Sequence, residues 1–332
     1  MIYLDHNATT PLDQRVLVAM VPFFQESFGN ASSVYRLGRD AKAALEQART
    51  NITAVLGLEN STIIFTSGGT EANNLAIKGV AAARHNGGNH IITAATEHHA
   101  VLNPCQQLKQ QGFEVTVLPV DSAGLVDPEA VRRAINPRTI LISIMTANNE
   151  TGVIQPIAAI GSIAREQGVL LHSDAVQAAG KIPLQSEHCD LISLSAHKLY
   201  GPKGVGVLAL KRGTPLAAQI DGGHHEQGLR AGTENIPGAV GLAKALQVAA
   251  EMQAEETARI TALRERFESG LADKIEGVLI NGADAPRLPN TSNVSFPQVD
   301  GESVLLHLDL LSICASSGSA CTTGLPEPSH VL

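Results

Sequence analysis

Apolar residues fall along this chain in two rhythms. In "GRDAKAALEQARTNITAVL", residues 38 to 56, Leu45, Ala48, Ile52 and Val55 recur at spacings of three and four. That period predicts an amphipathic helix, with Gly57 behind it as a C-terminal cap. Elsewhere the apolar positions come in short continuous bursts: "TIIFT" near 62, "HIITA" near 90, "EVTVLPV" near 114, "TILISI" near 139, "VLLHS" near 169 and "LISLS" near 191. Such runs, separated by helical stretches, predict a parallel sheet covered on both faces. A further apolar run, Val205 to Leu210, follows Gly201 and Gly204. After Pro237, Leu242, Leu246, Ala249, Ile260, Leu263, Phe267 and Leu271 keep helical spacing through a charged middle, which predicts a bridge to a second domain. Beyond it, "VLINGA" and "TSNVSFP" predict a smaller α+β unit, and no internal repeat or low-complexity segment is visible.

The polar residues that follow each burst carry more information than the bursts themselves. "IIFT" leads into Ser67-Gly68-Gly69-Thr70-Glu71, "IITAA" into Thr96-Glu97-His98-His99, and "LISIMT" into Asn148-Asn149-Glu150. "VLLHS" leads into Asp174-Ala175-Val176-Gln177 and "LISLS" into His197-Lys198. In an open α/β sheet the ligand crevice lies just past the carboxyl ends of the strands, so these clusters are expected to converge on one pocket. Gly68-Gly69-Thr70 opens a helix and suits a phosphate, because glycine lets backbone approach and free N–H groups at a helix start attract an anion; the same residues also suit a plain strand-to-helix turn. No Gly-Lys-Ser/Thr follows, so the turn is not a nucleotide P-loop.

Asp174 ends an apolar strand, where a carboxylate needs a cationic partner or a helix "AVQAAG" to cap. His98 offers either an aromatic face for a ring or a satisfied histidine at a strand end. Lys198 stands out from surface lysines such as Lys203, because desolvation at a strand end makes an amine a nucleophile able to form a Schiff base. A phosphate turn, an aspartate for a ring nitrogen, a histidine face and a nucleophilic lysine are the set that pyridoxal phosphate (PLP) requires.

The chain has 332 residues, 44% of them hydrophobic, and can bury a large core. A net charge of -8 without a basic run speaks against nucleic-acid or anionic-membrane partners and for small ligands. No window reaches the length of a membrane helix, and "MIYLDHNATTPLD" lacks the features of a signal peptide, so a cytoplasmic location is expected. Cys105, Cys189, Cys314 and Cys321 are sparse and form no C-x-x-C pair, which predicts free thiols and no metal site.

"YLDHNATTP", "FGNASS", "FTSGGTEANNLAI", "TEHHAV", "ANNETG", "HSDAVQAAGK", "SAHKLYGPKGVG", "GLRAGTEN" and "SSGSACTTG" resemble, in order, the motifs of PLP-dependent cysteine desulfurases. The resemblance is to the nitrogen-fixation and iron-sulfur-cluster branch of the class-V aminotransferase family, and it runs from Tyr3 to Leu332. It implies an α/β, aspartate aminotransferase-like fold (PLP fold type I), with a large domain over 15–254 carrying a mainly parallel sheet. A smaller α+β domain would comprise 1–14 and 255–332.

The resemblance also implies conversion of L-cysteine to L-alanine, a homodimer, and a sulfur-acceptor or scaffold protein as partner. Lys198 would hold the cofactor and later move protons, Asp174 pair with the pyridine nitrogen, and His98 stack on the ring. Gln177 and Asn149 would contact the ring hydroxyl side or the substrate, Asn30 the substrate, and Gly69, Thr70, Ser195 and His197 the phosphate. Thr233 would reach the phosphate of the other subunit. Cys321, in the Gly/Ser-rich "CASSGSACTTG", would be the nucleophile that takes sulfur as a persulfide, while Cys314 packs near a strand. Tyr35 stands where the pattern usually has histidine. The family also continues past "PEPSHVL" into a segment whose Ile-Arg-Phe arginine binds the substrate carboxylate, so the chain reads as C-terminally truncated.

Three rivals remain. A selenocysteine lyase or another PLP aminotransferase would use the same Lys198, Asp174 and His98, but transamination has no need of Cys321. A metallohydrolase built on His98, His99, His172, Asp174 or His197 lacks a His-Glu-x-x-His spacing. A non-enzymatic sulfur-delivery partner would release no sulfide from cysteine.

Overall fold

The structure is a computed structural model that describes residues 1–58, 60–318 and 329–332. The elements begin with β1 (Ile2–Tyr3), α1 (Gln14–Met20), α2 (Pro22–Gln25), α3 (Arg36–Leu56), β2 (Ser61–Thr66), α4 (Gly69–Arg84) and β3 (His90–Ala94). They continue with α5 (His99–Gln110), β4 (Glu114–Leu118), α6 (Pro128–Ala134), β5 (Thr139–Ser143), α7 (Ile157–Glu166), β6 (Leu170–Asp174), β7 (Leu191–Ser195) and β8 (Gly206–Lys211). Last come α8 (Ile236–Ala272), β9 (Leu279–Ile280), β10 (Val294–Ser295), α9 (Gly301–Leu310) and β11 (Ile313–Cys314).

Every apolar burst of the sequence becomes a strand of one sheet, ordered β2-β8-β7-β6-β5-β3-β4. The bursts are continuous because both faces are covered. In β3 and β5, Ile91 and Leu141 join the cluster beneath α4 and α5, whereas Ile92 and Ile142 join the cluster beneath α3, α7 and α8. The sheet is not wholly parallel, for β8 runs antiparallel to both β2 and β7. The 196–205 connection is too short for a crossover, so β8 can only turn back beside β7. The other six strands point the same way and bring their carboxyl ends to one edge.

Gly57 ends α3 in the left-handed conformation (φ 64°), as its position behind the apolar stripe predicts. The long pattern after Pro237 is one continuous helix of 37 residues, started by the Asn235 side chain accepting from Gly238 N at 3.0 Å. Its buried residues stop at Val248, and the rest reaches past the large sheet. There β9 pairs antiparallel with β10, and β1 pairs in parallel with β11, so the two ends of the sequence share a sheet. None of the side chains of α9 is buried.

Candidate active site

The five polar clusters meet. Gly69 and Thr70 beyond β2, His98 beyond β3, Asn149 beyond β5, Asp174 and Gln177 at the end of β6, and Ser195, His197 and Lys198 at the end of β7 line one cavity of about 150 Å³. A wider opening of about 450 Å³ adjoins it around Gly68, Gly69, Thr70, Ser195 and His197.

Lys198 sits in the helical turn that follows β7, and only 8% of it is exposed. Its Nζ donates to the carbonyls of Asn7 and Ala8, the latter at 2.7 Å. The N-terminal segment is fastened to the same turn, since Thr10 N and Thr10 Oγ1 both donate to His197 O, at 2.9 and 3.0 Å. Gln177 Nε2 also donates to Asn7 O, at 3.0 Å, and Lys181 Nζ donates to Gln177 Oε1 at 3.0 Å. Burial, followed by the charge of Lys198, lowers Lys181 to about 7. A larger cavity of about 440 Å³, mostly apolar, lies on the other side of Lys198 and also reaches Lys181.

Asp174 takes one donor on each oxygen: Val176 N on Oδ1 at 2.9 Å and Asn73 Nδ2 on Oδ2 at 2.6 Å. The stretch 175–180 is a turn and not a helix, so Asp174 caps that turn while its carboxylate still faces the cavity. His98 is the N-cap of α5, its Nδ1 accepting from Ala100 N at 3.0 Å. Burial lowers the His98 pKa, with Lys198 adding to the effect and Asp174 opposing it. The ring is therefore neutral near pH 7, with its proton on Nε2. His197 is lowered to about 4 by burial and by Lys198 and Lys203, and its Nδ1 lies 3.1 Å from Thr9 Oγ1. Lys203 is exposed at the rim of the wider opening, in keeping with a surface lysine. His172 is engaged away from the cavity, its ring nitrogens 2.8 Å from Ser143 Oγ and 2.9 Å from Ser193 Oγ.

At the mouth, α4 starts at Gly69 with Gly68 as an N-cap that has no side chain. A Cβ on Gly69 would lie 2.7 Å from Val176 Cγ2, so the turn needs glycine and leaves the first N–H groups of the helix bare toward the opening. Glu71, one turn in, is held by Arg230, whose Nε donates at 2.8 Å, and by Ser67 N at 2.8 Å. Burial raises the Glu71 pKa, but these bonds outweigh it and leave the carboxyl below its usual range. Arg230 is thereby committed to α4.

Not every predicted residue enters the cavity. Asn30 is exposed in a turn where its Oδ1 accepts from Ser32 N at 2.8 Å, and Thr233 is exposed in the segment before α8. Cys321 lies outside the described residues, but the chain on its two sides is anchored nearby. Ser316 Oγ donates to Asp5 Oδ1 at 2.8 Å, Ser329 Oγ to Glu150 Oε2 at 2.6 Å, and the His330 ring nitrogen Nε2 lies 2.9 Å from Glu97 O. Cys314 is half-buried in β11. Asn7, Ala8, Asn73 and Lys181 were not assigned roles from the residue pattern; "DHNATT" was the visible signal for the first two.

The family model for aminotransferase class-V matches residues 2–332. The cysteine desulfurase IscS of Dictyoglomus turgidum is 50% identical over 333 residues, a match that covers 100% of this chain and 84% of that protein. The chain belongs to the cysteine desulfurases of the class-V aminotransferase family. The IscS of Methanosarcina thermophila is 49% identical, covering 100% of this chain and 82% of its own length. Among solved structures, a NifS-like protein superposes with a TM-score of 0.90 at 41% identity, covering 95% of this chain and 87% of that one. SspA in complex with cysteine superposes with a TM-score of 0.86 at 37% identity, covering 100% of this chain and 93% of that one.

The fold is that of PLP fold type I, and the cofactor of this family is pyridoxal phosphate. The residues fit it. The bare helix start at Gly69 suits its phosphate, Asp174 its ring nitrogen and Lys198 its aldehyde, and Asn73 Oδ1 is a buried acceptor at the cavity wall without a partner among the described residues.

Proposed function

We propose that this cavity is where the chain performs its cysteine desulfurase reaction, with L-cysteine yielding L-alanine and its sulfur passing to Cys321. The observation that carries the reading is the convergence of Lys198, Asp174 and His98 at three strand ends beside an uncapped helix start. Pyridoxal phosphate supplies, when bound, an electron-withdrawing ring that stabilises negative charge developing on the substrate carbons.

The protein does the rest. Lys198 holds the cofactor and then, released, carries a proton on Nζ to and from the substrate. Asp174 would present its carboxylate to the ring nitrogen, and the neutral imidazole of His98 would cover the ring face. Gly69, Thr70, Ser195 and His197 take the phosphate, while Gln177 and Asn149 border the ring hydroxyl and the substrate. The Cys321 thiolate attacks the substrate sulfur: an S–S bond forms as the carbon–sulfur bond breaks, its electron pair stays on carbon, and a proton completes alanine. Support for Cys321 comes from its flanks, because Gly318 and Ser329 lie side by side against Glu150, next to Asn149. Asn30 as a substrate contact, Thr233 as a donor to the phosphate in a homodimer, a sulfur-acceptor partner and a cytoplasmic location complete the reading. No helix among the described residues is long and apolar enough to cross a membrane. The division into a large domain, 15–254, and a small one, 1–14 with 255–332, is supported by the end of burial along α8 at Val248.

The test is alanine and sulfide production from L-cysteine with a reductant present. The wild-type chain should form both, and Cys321→Ala should keep the visible band of the cofactor while sulfide release collapses. Full turnover by the variant would move the nucleophile elsewhere, with Cys314 the first substitute.

A further inference from the structure

Asn73 is an anomaly of α4. It is 1% exposed, and its neighbours Ala72, Leu75 and Ala76 are all buried apolar residues. An alanine or leucine would suit such a face better, because a buried amide must find partners or carry unpaired groups. Asn73 half-fails that requirement. Its Nδ2 donates to Asp174 Oδ2 at 2.6 Å, while Oδ1 has no partner among the described residues. Reversing the amide would set one acceptor against another at that distance, so the hydrogen bond fixes the orientation.

We infer that Asn73 is a positioning residue for cofactor chemistry, holding the Asp174 carboxylate in the plane in which it would meet the cofactor ring nitrogen. The inference rests on the reading of Asp174 given above. Two donors grip the carboxylate from different elements, Val176 N from the turn after β6 and Asn73 Nδ2 from α4. One bond alone would let the carboxylate swing about its Cβ–Cγ axis. With one donor on each oxygen the plane of the carboxylate is set. The charged and titratable groups facing Asp174 are Lys198 and His98 at the cavity and Glu97 behind it. Burial pushes the Glu97 carboxyl well above its usual range, which disfavours a competing charge beside Asp174.

Without Asn73, the Asp174 carboxylate is free to turn, its contact with the cofactor ring nitrogen would weaken, and the ring would withdraw electrons less strongly. The substrate still binds. The loss therefore falls on kcat and not on KM.

The experiment compares holoenzymes of Asn73→Leu, which keeps most of the volume and deletes the donor, with Asn73→Ser, which keeps a shorter donor, and with Asp174→Asn. Each is measured for cofactor retained through gel filtration, for the pH midpoint of the visible band, and for kcat and KM with L-cysteine. Asn73→Leu should keep cofactor more weakly, raise the midpoint by about half a pH unit, lower kcat about tenfold and leave KM within about twofold. Asn73→Ser should lie between it and wild type, and Asp174→Asn should move the midpoint the same way and further. Should Asn73→Leu not fold, Asn73→Ala takes its place. If the donor-less variant leaves both midpoint and kcat at wild-type values while Asp174→Asn moves them, Asn73 is packing only and the inference fails. If Asp174→Asn moves neither cofactor retention nor midpoint, the assignment of Asp174 itself fails.

Discussion

Removing Glu226 should destabilise this protein more than removing any surface carboxylate. Glu226 is 5% exposed in a turn ahead of α8 and accepts three hydrogen bonds. Two come from Arg49 of α3, at 2.8 and 2.9 Å, and one from Phe65 N of β2 at 2.9 Å. Glu226→Ala would strand a largely buried guanidinium, which costs about 3–5 kcal/mol, and unpair the Phe65 N–H, which adds about 1–3 kcal/mol. The two losses overlap. Arg49 also keeps its bond to the Ile63 carbonyl and its position 5.0 Å from the Phe65 ring centroid. The expected loss is therefore about 4 kcal/mol, a large share of the ~5–15 kcal/mol that holds a typical domain folded.

Alanine gives no relief to the backbone, for residue 226 has φ 45° and residue 227 φ 59°, left-handed values that non-glycine residues resist. Urea unfolding with saturating cofactor is the assay; at a slope of about 3 kcal/mol per M the midpoint should fall by about 1.3 M. The double variant Arg49→Met with Glu226→Leu removes both charges together and should recover most of that loss. A Glu226→Ala midpoint within about 0.3 M of wild type, or a double variant no better than the single, would refute the reasoning.

Two further predictions follow from the site and the core. Lys198→Ala should abolish the covalent visible band of the cofactor while Lys203→Ala retains it; the reverse pattern in absorbance spectra would reassign the Schiff-base lysine. His172 is held down to about 3 by burial, against 6.5 for a free histidine, so the unfolded chain takes up its proton first as the pH falls. Stability should drop between pH 6.5 and 3 by up to about 1.4 kcal/mol per pH unit from this group. His172→Gln should flatten that part of the profile of melting temperature against pH, and an unchanged slope would place the acid sensitivity elsewhere.

The large sheet was legible because a strand buried on both faces cannot hide its composition: Ile91, Ile92, Leu141 and Ile142 are apolar on either side. The site was legible for a related reason. Each polar cluster that follows β2, β3, β5, β6 and β7 places at least one residue in the cavity. The direction of β8 was missed although the short 196–205 link contains it. The "AVQAAG" stretch could not be separated from a helix by composition, and its turn is set by Asp174 Oδ1 accepting from Val176 N. The motif "DHNATT" flags Asn7 and Ala8, but what they do could not be read from it. They act through backbone carbonyls on Lys198, which lies 191 and 190 residues further along, and a carbonyl has no residue-type signature.

That grip on Lys198 has a kinetic consequence. The segment carrying Asn7 and Ala8 is fastened at one end to the turn after β7, through Thr10 and His197, and at the other to β11, through Ile2 with Ile313 and Tyr3 with Cys314. During synthesis the strand at Ile2 and Tyr3 is made long before its partner at Ile313 and Cys314. Closing a loop that spans nearly the whole chain is slow and entropically unfavourable, so this pairing belongs to the end of folding. The large sheet can assemble before residue 313 is made, whereas the amine that receives the cofactor is fully seated only when β1 and β11 find each other. Cofactor capture thereby waits on the pairing of β1 with β11.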